Sequence, residues 1–237
     1  MTRFNKKEMK KASKIIRENI KKGKGYPSSI KMVEMDKGKT IKVTKAYYMG
    51  LFESQNVFIR NHGRKPNYVT LNSKANNPLV MDYQDNAYTC CPTSFSMATQ
   101  LLFDNISEKE CAKTLNTRIG SGTDPSDLIN NAGRLGYKAT PIPRNYKNVK
   151  ASLKKGYPVI AHIQTRPATC LGYKGDYGHY VVIYGAYRKL LTSYYKVADP
   201  TKGLKKCKAS ILDKATNGRN INYYKVEIQW INGKNEY

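Results

Sequence analysis

Apolar residues recur at helical spacing from Asn5 to about Lys22, where Met9, Ala12, Ile15, Ile16 and Ile20 line one side. Asn5 and Glu8 stand like a capping box at its start, and Gly23 and Gly25 mark its end. The run Gly38 to Thr44, which includes Ile41 and Val43, precedes a second helical pattern that begins at Lys45 and carries Tyr47, Tyr48, Met49, Leu51 and Phe52. The polar tract 72–77 then divides a front half, 1–77, from a longer second part, 78–237. Beyond it, helical patterns fall at about 92–104, 107–116, 124–135 and 147–155, and apolar β-type runs at 157–165, 179–188, 194–198 and 222–230. Helices first and strands afterwards predict an α+β domain with a largely antiparallel sheet, preceded by a small, mainly helical module.

The front half also echoes itself. Residues 20–32, with Ile20, Pro27, Ile30 and Met32, align 39 positions on with residues 59–71, where Ile59, Pro66, Val69 and Leu71 stand. Both read as a basic helix end, a Gly turn, a proline and a short alternating segment. A period of this size suggests a repeated structural unit, the second of which reads as incomplete.

Charge changes the picture of possible partners. The chain carries 42 basic and 17 acidic residues, a formal charge of +25, with 19 basic and 5 acidic in residues 1–77 alone. Lysines make up 32 of the cations, which favours diffuse attraction to polyanions over the bidentate readout that arginine supports. Nucleic acid is therefore expected to bind nonspecifically if at all. Five cysteines, at 90, 91, 111, 170 and 207, show no C-x-x-C spacing, and neighbouring Cys90 and Cys91 form a poor disulfide pair, so free thiols in a reducing setting are expected. No apolar run of signal-peptide or membrane-span length occurs, so the expectation is synthesis in the cytoplasm, no membrane insertion and action after release.

Candidate chemistry centres on Cys90. Pro92 lies just behind it, and Phe95, Ala98, Leu101 and Leu102 follow at helical spacing, so Cys90 is placed at a helix N-terminus, where backbone N–H groups and the dipole favour a thiolate. Gln84, six residues earlier, sits within a short loop's reach, and its amide with the Cys90 N–H would form an oxyanion hole. His179 opens an apolar strand after Gly178, which leaves room beside the imidazole; Asp199 ends the next β-type run and is expected beside that ring. His162 falls mid-strand, in the core or a cleft wall, and His62 in the repeat turn at the surface. A zinc site from Cys90, Cys91, Cys170 and His179 matches no common spacing, and the expectation is that no metal is bound there.

The order Gln84, Cys90, Pro92, Ser94, then Gly178-His179 with an aliphatic run, then a strand ending Asp199-Pro200, resembles papain-like (transglutaminase-like) peptidases of the bacteriocin-processing type. Those usually have glycine straight after the nucleophile; here Cys91 occupies that place, which leaves open which thiol attacks. The front half resembles the pseudomurein-binding repeat of methanogen wall proteins. Together with the Cys90-Cys91-Pro92-Thr93-Ser94 run, this resembles the pseudomurein endoisopeptidases, lytic enzymes of methanogen viruses and proviruses. The resemblance implies a wall-binding module in 1–77 and a peptidase in 78–237 that cleaves the alanine-to-lysine isopeptide crosslinks of pseudomurein. It implies no cofactor in the chemistry, an association with a divalent cation such as calcium, and the wall polymer as partner for a monomer. The rivals are a leader-peptide-processing peptidase and a non-catalytic polyanion- or nucleic-acid-binding protein, with a DNA-binding module as the alternative for the front half.

Overall fold

The computed structural model describes residues 2–62, 64–71, 81–102, 104, 106–216, 218 and 221–228. The polar tract 72–77, Gly63 and the end of the 222–230 run lie outside the described residues. The chain forms two compact units that divide between residues 80 and 81.

The first unit runs β1 (Arg3–Asn5), α1 (Lys6–Lys21), β2 (Ser29–Val33), β3 (Thr40–Thr44), α2 (Lys45–His62) and β4 (Tyr68–Thr70). Asn5 caps α1 by accepting from Glu8 N at 2.9 Å. Glu8 does not complete the reciprocal capping box; its Oε2 accepts from Val33 N in β2 at 2.9 Å, so the cap residue is spent on tying helix to strand. Met9, Ala12, Ile16 and Ile20 are buried as their spacing predicts, whereas Ile15 stays part-exposed. Gly23 and Gly25 both take positive φ past the helix end, which an L-residue with a Cβ rarely adopts.

The 39-residue echo extends through two strand–helix–strand repeats, β1-α1-β2 and β3-α2-β4, so the second repeat is not the fragment the sequence suggests. Phe4 and Val43, Met9 and Tyr48, Ala12 and Leu51, and Ile30 and Val69 are equivalent and all buried. Each repeat pairs its strands with the other: β1 lies against β4, and β2 against β3, both antiparallel. Even the backbone bonds repeat, since Lys6 N donates to Asn67 O (3.2 Å) and Lys45 N to Ser28 O (2.9 Å). His62, exposed at the end of α2, stacks on Phe58 rather than sitting in the turn.

The second unit begins with α3 (Cys90–Leu101), α4 (Glu108–Thr114) and α5 (Pro125–Asn131), the last continued by a 3₁₀ turn, Ala132–Leu135. Then come β5 (Tyr137–Pro143), α6 (Tyr146–Lys154), β6 (Val159–Gln164), a 3₁₀ turn Thr169–Leu171, β7 (Gly178–Lys189), β8 (Thr192–Asp199), β9 (Gly203–Lys208), α7 (Ala209–Lys214) and β10 (Asn222–Ile228). Six strands make one sheet in the order β5-β10-β6-β7-β8-β9, every neighbouring pair antiparallel. This is the α+β architecture expected, with four of its six strands where the apolar runs lay.

β5, β9 and α7 were not foreseen. Both strands are sheet edges: β5 carries Pro141 and Pro143, and β9 carries Lys205, Lys206 and Lys208, residues that an edge tolerates and that hide a strand from a hydrophobic pattern. α7 has only six residues. The central strands bury Val159, Ala161, Ile163, Val181, Ile183 and Val197 in one cluster with Val149, Tyr195, Leu212 and Tyr223. Each such large apolar side chain contributes about 1.5–3 kcal/mol on burial.

The expectation of five free thiols fails for two of them. Cys170 and Cys207 form a disulfide, because the 3₁₀ turn and β9 bring their Cα atoms to 5.3 Å despite 37 residues between them. Cys90, Cys91 and Cys111 remain free.

Candidate active site

Helix α3 starts at Cys90 itself, with Pro92 in its first turn. Its N-cap, Thr89, makes no side-chain cap bond, because the hydroxyl is turned back to Asn86, donating to its carbonyl (3.0 Å) and accepting from its N–H (3.1 Å). The first-turn N–H groups are therefore not taken by a cap side chain, and the positive helix end is directed at the Cys90 position. Thr93 Oγ1 and Asp85 N both donate to the buried Glu108, at 2.7 and 3.1 Å, so one carboxylate holds the 84–89 loop to the helix it precedes.

The two adjacent thiols differ sharply. Cys91 is fully buried, bonded to Thr123, and burial pushes its thiol well above the usual range. Cys90 is half-buried and is a hydrogen-bond partner of His179.

His179 is the second residue of β7 and Asp199 the last of β8. The β7–β8 register pairs Val182 with Ala198, so Asp199 lies diagonally across from His179 on the neighbouring strand. The imidazole Nε2 is 3.0 Å from Asp199 Oδ1, with both side chains buried. Since Nε2 is engaged there, Nδ1 is the nitrogen left for the Cys90 thiol. Burial pulls His179 towards the neutral form, but the hydrogen bonds with Asp199 and Cys90 outweigh it and lift its pKa to about 9. Burial likewise pushes Asp199 up, yet the imidazole, the Thr201 N–H (2.8 Å) and the Tyr173 hydroxyl hold it below the ordinary carboxylate range. Lys202 N–H adds another donor at 3.1 Å.

Gln84 joins the two sides of this arrangement. Its Nε2 donates to Asn86 O at 2.7 Å, in the loop that opens α3, and its Oε1 accepts from Thr201 Oγ1 at 3.0 Å, in the turn after Asp199. The Gln84 backbone N–H also donates to Pro200 O at 3.0 Å. One of the two amide hydrogens on Nε2 is committed to Asn86, which leaves the other for a ligand oxygen.

The structure thus brings Cys90, His179 and Asp199 into one chain of contacts, with Gln84 anchored across it. Gly178 has a different role from the one its position suggests: a Cβ there would lie 3.0 Å from His162 Nε2, so the room it leaves is for the neighbouring ring on β6. His162 stacks on Tyr180 at 4.2 Å; burial, then Arg144 and His179, pull its pKa down to about 4. Cys170 is spent in the disulfide, which removes it from any zinc set, and the described residues hold no group of three or more histidines, cysteines and carboxylates able to hold a metal.

Tyr173 was not foreseen. Its hydroxyl lies 2.8 and 3.0 Å from the two Asp199 oxygens and 3.0 Å from His179 Nε2. It sits in the irregular segment before β7, where no periodicity points to it; its closeness to His179 in sequence was the one available signal.

The model of the Peptidase_C39 like family matches residues 66–228. Among solved structures, the chain is similar to the peptidase domain of Streptococcus ComA, a bi-functional ABC transporter involved in a quorum-sensing pathway, at 17% identity and TM-score 0.49, over 63% of this chain and 98% of that one. It is also similar to a double-glycine-motif protease from an AMS/PCAT transporter, solved with a leader peptide, at 19% identity and TM-score 0.46, over 62% and 91% of the two chains. A C39-like peptidase from Bacillus anthracis matches at 18% identity and TM-score 0.47, over 62% and 94%. No curated protein matches the chain.

Proposed function

This chain belongs to the Peptidase_C39-like family of cysteine peptidases, and from that premise we propose that Cys90 is its nucleophile, His179 its base, Asp199 the orienting acid and Gln84 an oxyanion donor. The observation that carries the assignment is the half-buried Cys90 thiol bonded to an imidazole that is itself held by a buried, fully engaged carboxylate. Burial of Cys91 argues for Cys90 as the attacking thiol.

In this mechanism His179 takes the thiol proton and the sulfur forms a bond to the amide carbonyl carbon. The carbonyl π pair moves onto oxygen, where the Cys90 N–H and the Gln84 amide stabilise it. Collapse breaks the C–N bond, and the imidazolium returns the proton to the departing amine. Water then adds to the thioester, with His179 taking one of its protons, and the sulfur leaves as the carboxylic acid forms. The buried Asp199 carboxylate, 3.0 Å from Nε2, stabilises the imidazolium formed in these steps.

For the substrate, we propose the alanine-to-lysine isopeptide crosslink of pseudomurein, with residues 1–77 as the wall-binding module. The support is the likeness of the Cys90 run and of the front repeat to the pseudomurein endoisopeptidases. The strongly basic front half, drawn to a carboxylate-rich wall, adds to it, and the mutual strand exchange of the two repeats gives that half its own folding logic. The Cys170–Cys207 disulfide supports action outside a reducing cytoplasm, as a free or virion-associated lysin acting as a monomer. No cofactor takes part in the proposed steps, and a calcium requirement rests on the likeness alone.

The test incubates wild type, Cys90→Ala and Cys91→Ala with pseudomurein walls under mild reduction, and measures turbidity and new lysine ε-amines. The expected result is lysis by wild type, none by Cys90→Ala and retained lysis by Cys91→Ala. Intact walls with wild type, alongside cleavage of a double-glycine leader peptide, would replace the wall reading by the leader-processing one.

A further inference from the structure

We propose that Tyr173 is a positioning residue of the active site, bridging His179 and Asp199 so that the imidazole keeps Nε2 on the carboxylate and Nδ1 on Cys90. The proposal rests on the Cys90–His179–Asp199 reading above and adds to it a residue outside that set.

A hydrogen bond along one line leaves an imidazole free to rock about that line. Tyr173 removes this freedom in two ways. Its hydroxyl accepts from the same Nε2–H that points at Asp199 Oδ1, and donates to the carboxylate, so ring and carboxylate share a third polar atom. Its ring also meets the imidazole edge-on at 5.3 Å with a 65° interplanar angle, which fixes the plane as well as the axis.

Tyr173 is itself immobilised from several directions. Lys202 Nζ lies over its ring at 5.3 Å, and Lys202 N–H donates to Asp199 from the same turn. Tyr177 packs against it edge-on at 5.6 Å. Three residues before it, Cys170 is tied to Cys207 in β9, the strand that leaves the 199–202 turn. The segment carrying Tyr173 is thus tied covalently to β9, the strand that follows the Asp199 turn. The phenol stays protonated, since burial and the adjacent carboxylate both push its ionisation up, and so remains a donor across the working range.

The groups facing the His179 ring are Cys90 from α3, Asp199 from β8, Tyr173 and Tyr177 from the segment before β7, and His162 from β6. Of these, Tyr173 is the one that touches ring and carboxylate together.

The experiment uses iodoacetamide on the full chain, with the extent of Cys90 alkylation followed by peptide mapping, together with NMR titration of the labelled His179 ring. Tyr173→Phe keeps the aromatic body and removes only the bridging hydroxyl. It is expected to slow Cys90 alkylation at neutral pH about tenfold, less than the loss, on the order of 10²-fold, that a full 1 Å misplacement can cost. The His179 midpoint should also move by about half a pH unit or more. In wild type, the Tyr173 hydroxyl proton is expected to exchange slowly and to show a nuclear Overhauser contact with the His179 ring; this reading needs no variant to fold. His179→Ala separates the two levels. If alkylation in wild type and His179→Ala is alike, the Cys90–His179 reading fails. If His179→Ala is slowed while Tyr173→Phe matches wild type in rate and midpoint, or the hydroxyl proton exchanges freely, the Tyr173 proposal alone is overturned.

Discussion

Two carboxylates in the C-terminal unit, Asp199 and Asp213, both accept hydrogen bonds from tyrosine hydroxyls, yet their surroundings push them in opposite directions. Asp199 is bonded by Tyr173, the His179 imidazole and two backbone N–H groups, and is held below the ordinary carboxylate range despite complete burial. Asp213, at the end of α7, is bonded by Tyr195 and Tyr223 at 3.0 Å each, and there burial wins and raises its pKa, the neighbouring Arg144 notwithstanding. The Arg144 guanidinium donates to the carbonyls of His162, Leu212, Asp213 and Ala215, and its charge pulls the Asp213 carboxyl down less than burial pushes it up. Phenols alone do not offset desolvation; an imidazolium and main-chain donors do. The first environment suits a charge used in chemistry, and the second suits a bolt between β8, β10 and α7.

Asp199→Asn should separate the two most sharply. It is expected to lower peptidase activity by on the order of 10³-fold or more, the scale seen when an orienting carboxylate is neutralised. Asp213→Asn should leave hydrolysis within a few-fold of wild type, because an amide oxygen still accepts from Tyr195 and Tyr223. Equal losses in the two variants, at matched folding, would erase the distinction.

The disulfide stands between the two networks. Cys170 precedes Tyr173, and Cys207 pairs in register with Tyr195, the donor to Asp213. Replacing both cysteines by serine is expected to lower the unfolding free energy by about 4 kcal/mol from loop entropy alone, read from the urea midpoint. If the midpoint is unchanged, the crosslink does not constrain this unit.

Titration offers a finer comparison. His179 has a folded pKa of about 9 against an ordinary 6.5, so the stability it contributes is fully present below pH 6.5 and is lost as pH rises through 9. Asp199, depressed in the folded state, contributes above 3.8 and loses that contribution as pH falls through its lower folded value. Asp213 has the reverse sign for a carboxylate: its raised folded pKa gives stability below 3.8 that is lost as pH rises through the folded value. Melting temperatures across pH should therefore fall from about 6.5 to 9 in wild type but not in His179→Gln. Asp213→Asn should gain relative to wild type as pH rises from 3 to 6, and a relative loss there would contradict the assigned direction. The smallest change is Tyr223→Phe, which removes one donor to Asp213 and is expected to cost about 1 kcal/mol by chemical denaturation.

Much of this was readable along the chain. The apolar runs of β6, β7, β8 and β10 declare themselves because both faces of a central strand are covered, and Cys90, His179 and Asp199 stand at their ends or at a helix start. The prolines of β5 and the lysines of β9 mask strands whose outer edges meet no partner strand among the described residues. The 39-residue echo was visible as a repeat, but not the exchange of strands between its copies.

The sequence by itself determined the sheet's central strands, the helix behind Cys90 and the order of the reactive residues, because these follow from local periodicity and from residue type. Tertiary structure alone decided which of two adjacent thiols faces His179, that Cys170 and Cys207 join, and that the Tyr173 hydroxyl meets both the ring and the carboxylate. Those choices depend on contacts between segments distant or irregular in the chain, and on the balance between burial and hydrogen bonding that only the folded arrangement sets.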